Sequence, residues 1–244
     1  MSWLNDATKR ILEKQPPEPF APNLIFGFDE VHQVIQIAET AIDANIEESR
    51  KVGSEAVMRA AANPMHSFVE EPVFTPMAAG LWDAEMTFPV ILRRALFIAI
   101  CSHVEHVLRR WCRLLHATWS LKQDLKALKK NPKESDLHHC LRYLRDEATL
   151  AIVDFEQWPE WSRIDAYRVA RNRLAHDGGI VEDADEREKL AALPFVQVDD
   201  SGILLDEPVI HLLPGACEGA AENAKALFDR LTETCARDSR VHTR

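Results

Sequence analysis

Glycine is scarce in this chain, at 8 of 244 residues, against an abundance of Ala, Leu, Glu and Arg. That balance excludes glycine-rich and collagen-like designs and favours helix. No run of about 18 apolar residues occurs, so no transmembrane helix is expected. The N-terminal stretch MSWLNDATKRILEKQ lacks the apolar core of a signal peptide, which gives the expectation of a cytoplasmic protein. The five cysteines (Cys101, Cys112, Cys140, Cys217, Cys235) are odd in number, widely spaced and contain no CxxC pair. They are expected to be reduced thiols packed as small apolar groups, not a disulfide framework or a zinc site. No glycine-rich phosphate loop, serine nucleophile elbow or kinase-like motif is present, and no repeat or low-complexity segment. His103 and His106, near Cys101 and Glu105, are only an i,i+3 pair and do not form HExxH. Core or surface histidines are expected there, with no metal and no cofactor.

What the chain does hold is enough apolar material, 46%, for a sizeable core, and an uneven charge. The formal net charge is -10. Ile91 to His176 carries 16 Lys and Arg against 10 Asp and Glu, whereas the remainder carries 13 against 29. A basic middle between acidic flanks suits a local anion-binding surface in an acidic protein. The same charges also suit solvated helix faces with i,i+4 pairs.

Along the chain, Ser2 to about Lys14 reads as a short helix, followed by the extended, proline-rich QPPEPFAPN. Asp29 caps a long amphipathic pattern, with Val31, Val34, Ile35, Ala38, Ile42 and Ile46 at helical spacing as far as about Ala62. NPMHSFVEEPVFTPMAAG breaks it and reads as a linker, with a boundary near residue 80. A second long helix begins near Trp82 and bends or restarts at Pro89, its stripe running Phe97, Ile100, Val104, Val107, Leu108, Trp111, Leu114 and Leu115. LKQDLKALKKNPKES reads as a basic helical segment ending at Asn131-Pro132. Ser135 or Asp136 starts the next helix, with Leu137, Leu141 and Leu144 inward. QWPEW then introduces a further helix, with Pro159 suited to its first turn. After it come the acidic VEDADEREKLAAL, a small β-hairpin (Val196 and Val198, a turn at Asp199 to Gly202, then Ile203 and Leu205) and a closing helix from about Ala216 to Ala236. The expected fold is all-α with a small C-terminal β-hairpin and an N-terminal acidic helical extension, divided as residues 1–80 and 81–244.

The helix after Pro159 ends in YRVARNRLAHDGG, Tyr167 to Gly179. With Ile164 as zero and about 100° per residue, Ala175 falls near ~20°, Arg171 near ~340°, Tyr167 near ~300° and Leu174 near ~280°. Arg171 therefore stands inside the apolar arc, where a guanidinium needs a partner carboxylate or a bound anion. Asp165, Arg168, Asn172 and His176 form an adjoining polar strip, and Asn172 and His176 are i,i+4 neighbours. Gly178-Gly179 signals a left-handed stop. His176 lies roughly 140° around from Arg171, so the two converge on one ligand only if Arg171 reaches across or a second subunit completes the pocket. Such a set suits RNA transesterification without metal: His176 moves the proton of a 2′-hydroxyl or of the leaving oxygen, and Arg171 holds the phosphate and its growing charge. It equally suits an Arg171–carboxylate pair in the core with His176 a surface cap.

These residues resemble a known family. RNRLAH, Arg171-Asn172-x-x-x-His176, matches the R-x4-6-H motif of the HEPN superfamily, including the Asn after its Arg. LFIAICSHVEHVLRRWC is similar to the family's first core helix, with Glu105 where an acidic residue is often found. The order of helices, hairpin and closing helix is similar as well, so that the resemblance covers about residues 88 to 236. It implies a HEPN-like helical bundle that dimerises with two motif helices facing each other. The activity implied is that of a metal-independent endoribonuclease of the toxin or phage-defence kind, with RNA as substrate and an antitoxin or regulatory protein as a possible partner. Arg171 and His176 would be catalytic, Asn172 would orient the site, and Glu105 could pair with Arg171. Arg168, Arg173, Arg109, Arg110 and Arg113 could hold the RNA backbone through charge. The rival readings are a non-catalytic HEPN-like module that binds nucleotide or RNA, and a helical interaction protein.

Overall fold

The computed structural model of the chain describes residues 27–61, 80–132, 134–152, 154–199 and 208–237. Among these residues there are six α-helices and one antiparallel pair of strands. In chain order they are α1 (Phe28–Ala61), α2 (Phe88–Trp119), α3 (Asp136–Asp146), α4 (Pro159–His176), α5 (Ala184–Ala191), β1 (Val196–Asp199), β2 (Val209–Leu212) and α6 (Ala216–Ala236). No helix among the described residues is long and apolar enough to cross a membrane. The expected N-terminal helix, the proline-rich segment after it and the body of the linker before residue 80 lie outside the described residues.

The chain divides into two compact units, one of Met1–Asp29, His103–Ser162 and Glu222–Arg244, the other of Glu30–Ser102 and Arg163–Ala221. In the first, Val104, Val107, Leu108, Trp111 and Leu115 of α2 are buried, as are Leu137, Leu141 and Leu144 of α3. Phe228 of α6 packs its ring against Phe28 (5.5 Å) and Trp111 (6.2 Å). Ser135 caps α3, its side chain accepting the His138 N–H. Leu121–Pro132, expected to be helical, is instead a series of turns. Its carbonyls are taken by side chains of α3: Tyr143 Oη donates to Gln123 O (2.9 Å) and Arg142 Nη2 to Lys129 O (2.8 Å).

In the second unit, Ile35 of α1, Phe97 and Ile100 of α2, Tyr167, Ala170 and Leu174 of α4 and Ala220 and Ala221 of α6 share one core cluster. α1 and the start of α2 are tied by Arg93 to Glu39 (2.7 Å) and Arg50 to Glu85 (2.6 Å). Val34, read into the buried stripe of α1, is 52% exposed, because the stripe that meets the core is the narrower Ile35–Ile42 line. Ahead of α2, Asp83–Thr87 is a π-helical turn. It absorbs the register change before Pro89, which has no N–H for the helical ladder. β1 pairs with β2 in the register Val196↔Leu212 to Asp199↔Val209. Asp199, expected to open the turn, is the last residue of β1, and the strand that pairs with β1 is Val209–Leu212; the rest of the expected turn, and Ile203 and Leu205, lie outside the described residues. The acidic stretch before the hairpin forms α5, capped by Asp183, whose carboxylate accepts the Glu186 N–H.

Candidate active site at the end of the motif helix

α4 starts on Pro159 and ends on His176, the two ends the sequence marks. Past the end, Gly178 and Gly179 take φ of 68° and 98°. The Gly179 N–H turns back to the Arg173 carbonyl (2.9 Å). Arg94 of α2 closes the rest of the terminus, its Nη2 donating to Leu174 O and its Nη1 to Gly178 O (3.5 Å). The last carbonyls of α4 thus meet a cation as well as hydrogen bonds, which suits the negative pole of a helix. Sequence reasoning missed Arg94, since nothing near it in the chain marks a partner about eighty residues away.

On the flank of this terminus lies an open recess of about 350 Å3, lined by Arg168, Val169, Asn172, Arg173, His176, Asp177 and Glu186. It gathers four of the residues singled out in the sequence. His176 lines it and is exposed, and its imidazole makes no hydrogen bond to another described residue. The two arginines are not free. Arg168 donates twice to Asp165 Oδ1 (3.0 and 2.8 Å), and Lys189 approaches the other oxygen of the same carboxylate (3.5 Å). Arg173 is held by Glu186 (2.7 Å) and Asp177 (2.8 Å), and those bonds, Glu186 first, raise its pKa further above the usual guanidinium range. Two arginines and two carboxylates therefore line the recess. Glu186 reaches it from α5, an element the sequence announces only through the Asp183-x-x-Glu186 capping pattern.

Arg171 is not part of the lining. It is half-buried, with Nη1 donating to Asn172 Oδ1 (2.9 Å) and Nη2 to Ser102 Oγ of α2 (3.3 Å). Its Nε is buried without a hydrogen-bond partner. Within its own unit no described carboxylate lies within ion-pair distance of Arg171. The angular separation of Arg171 from His176 read from the helical wheel is thus present. Asn172 links the two: its oxygen accepts from Arg171, and it lines the recess together with His176. Ala175, placed in the apolar arc by the wheel, is exposed, because the core meets α4 along Tyr167, Ala170 and Leu174.

Glu105, Arg109, Arg110 and Arg113 belong to the other unit. Glu105 is half-buried, Arg110 and Arg113 are exposed, and Arg109 is paired with Asp136. Of the histidines doubted as metal ligands, His103 packs edge-on against Phe28 (6.2 Å) and His106 is exposed. Among the described residues no three His, Cys, Asp or Glu side chains group as a metal site. No family model matches the chain, and neither does any curated protein or solved structure.

Proposed function

We propose that this chain is a metal-independent endoribonuclease built around Arg171, Asn172 and His176, with a toxin or defence role held in check by an antitoxin or regulatory protein. The observation that carries the reading is the set of partners that Arg171 has. Among the described residues, its neighbours Arg168 and Arg173 are each neutralised by a carboxylate, while Arg171 meets only an amide and a hydroxyl. A half-buried cation with neutral partners retains its attraction for an anion. His176 supplies an imidazole one helical turn from Asn172, on the same recess.

In the proposed reaction the RNA 2′-oxygen attacks the adjacent phosphorus as a base removes its proton. The P–O5′ bond breaks, and the leaving oxygen takes up a proton. The products are a 2′,3′-cyclic phosphate and a 5′-hydroxyl. His176 moves protons, Arg171 holds the phosphate as charge grows on it, and Asn172 fixes the guanidinium. Two copies of the chain with their motif helices facing each other would bring Arg171 and His176 to one cleft.

The test is cleavage of total cellular RNA and tRNA in EDTA by the wild type, Arg171→Ala and His176→Ala, each checked for folding. Cuts bearing cyclic-phosphate ends, reduced about 100-fold or more in both variants, are expected. A second reading keeps Arg171 as the anion-holding group without proton transfer: a non-catalytic module that binds nucleotide or RNA. RNA affinity without cleavage in wild type and variants alike would select it. An Arg171→Ala chain that fails to fold would point instead to a structural guanidinium.

A further inference from the structure

We infer that the turn segment Leu121–Pro132 is an RNA-backbone grip, in which Lys122, Lys126 and Lys129 bind phosphates by charge. The segment holds four lysines against one acidic residue, Asp124. Leu121, Leu125 and Leu128 are half-buried, while Lys122, Lys126 and Lys129 are exposed and have no ion-pair partner among the described residues. The backbone beneath them is fixed from below. Besides Tyr143 and Arg142, the buried His139 bonds to the segment, Nε2 to Leu125 O at 3.2 Å. The Arg142 guanidinium meets His139 Nδ1 (3.2 Å), which puts the ring proton on Nε2, facing that carbonyl. Three donors from one helix thus hold the carbonyls of Gln123, Leu125 and Lys129, and the lysines project from a braced support.

Nearby acids do not cancel this charge. Glu134 is enclosed by Arg142 and His138, and Asp136 is shared by Arg109 and Lys130 (2.5 Å to Lys130). Asp124, whose Oδ1 accepts the Ala127 N–H (2.7 Å), is the one carboxylate of the segment and leaves its lysines in excess. The surface offers point charges and no exposed large apolar side chain. A protein partner would need an apolar or aromatic anchor there, whereas a phosphate backbone needs only spaced cations. The choice of RNA among polyanions rests on the ribonuclease reading; the grip itself rests on the geometry.

The experiment measures binding of a fluorescent single-stranded RNA between 50 and 200 mM salt, in EDTA, using the His176→Ala chain to prevent cleavage. Lys122→Gln/Lys126→Gln/Lys129→Gln is compared with a control, Lys51→Gln/Lys225→Gln, and thermal melting checks the folds. The triple variant is expected to bind about tenfold or more weakly at the low-salt end, with a log–log salt slope shallower by about 2, while the control is unchanged. Equal affinity and slope in the triple variant would overturn the grip and leave the roles of Arg171 and His176 untouched, because those are read from cleavage. Binding of poly-glutamate but not RNA would overturn it in favour of an acidic protein partner. Loss of binding in the triple variant together with no cleavage by the wild type would uphold the grip and sink the nuclease.

Discussion

Glu134 keeps only 3% of its side chain exposed and is nonetheless ionised. The Arg142 hydrogen bonds are the first cause, helped by the Asn131 N–H and His138 and opposed by burial, and together they hold its pKa well below the usual carboxylate range. A depressed folded-state pKa stabilises the fold above the unfolded value of about 4.3, and that contribution is lost as pH falls through the folded value. Urea unfolding from pH 7 to 3 should therefore show constant stability from Glu134 down to about pH 4.5 and a decline below it. Glu134→Gln should cost about 3 kcal/mol at pH 7, since it leaves Arg142 without its carboxylate, and should narrow the gap to wild type in acid. A gap independent of pH would mean that Glu134 acts by shape alone. The phenol of Tyr143 shifts the other way, pushed up to about 12 chiefly by burial, which keeps it a donor to Gln123 O at all ordinary pH.

At the scale of elements, the end of α4 is where Arg94 matters. Arg94→Ala should remove the bond to the Leu174 carbonyl and a charge at the helix terminus, about 1.5–3 kcal/mol of local stability. Hydrogen exchange at residues 174 to 180 should quicken while the first turns of α4 are unchanged; uniform exchange across α4 would show that the glycine turn suffices. Helix ends of this kind were legible in the sequence: Pro159 at the start, Gly178-Gly179 at the stop, Ser135 before α3, and Ala216 to Ala236 for α6. The inward leucines of α3 were legible for the same reason, since periodicity is a local property. Leu121–Pro132 was misread because its leucines recur at helical spacing, while the groups that hold its carbonyls sit on α3, beyond any local window. The site was legible in part. Asn172 and His176 do share a face, but the neutralisation of Arg168 and Arg173 depends on Asp165, Asp177 and Glu186, and the placement of Arg171 depends on Ser102 some seventy residues earlier.

At the scale of the whole molecule, the proposed cleft requires two chains. Sedimentation should give a particle of twice the 27.7 kDa of one chain. Mixing Arg171→Ala and His176→Ala chains should restore cleavage that neither shows alone, since each supplies what the other lacks to a shared cleft. A mixture as inactive as its components would place the whole reaction within one chain. The cysteines then give the molecule a use beyond packing. Cys112, Cys140, Cys217 and Cys235 are buried, and Cys101 alone of the five is half-exposed. It precedes Ser102, which accepts from Arg171, and its own Sγ approaches the Tyr167 carbonyl (3.9 Å). A small alkylating dye should therefore mark a native chain about once, beside the Arg171 side of α4, and the rate of that marking becomes a built-in gauge of whether a ligand or a second chain covers this face.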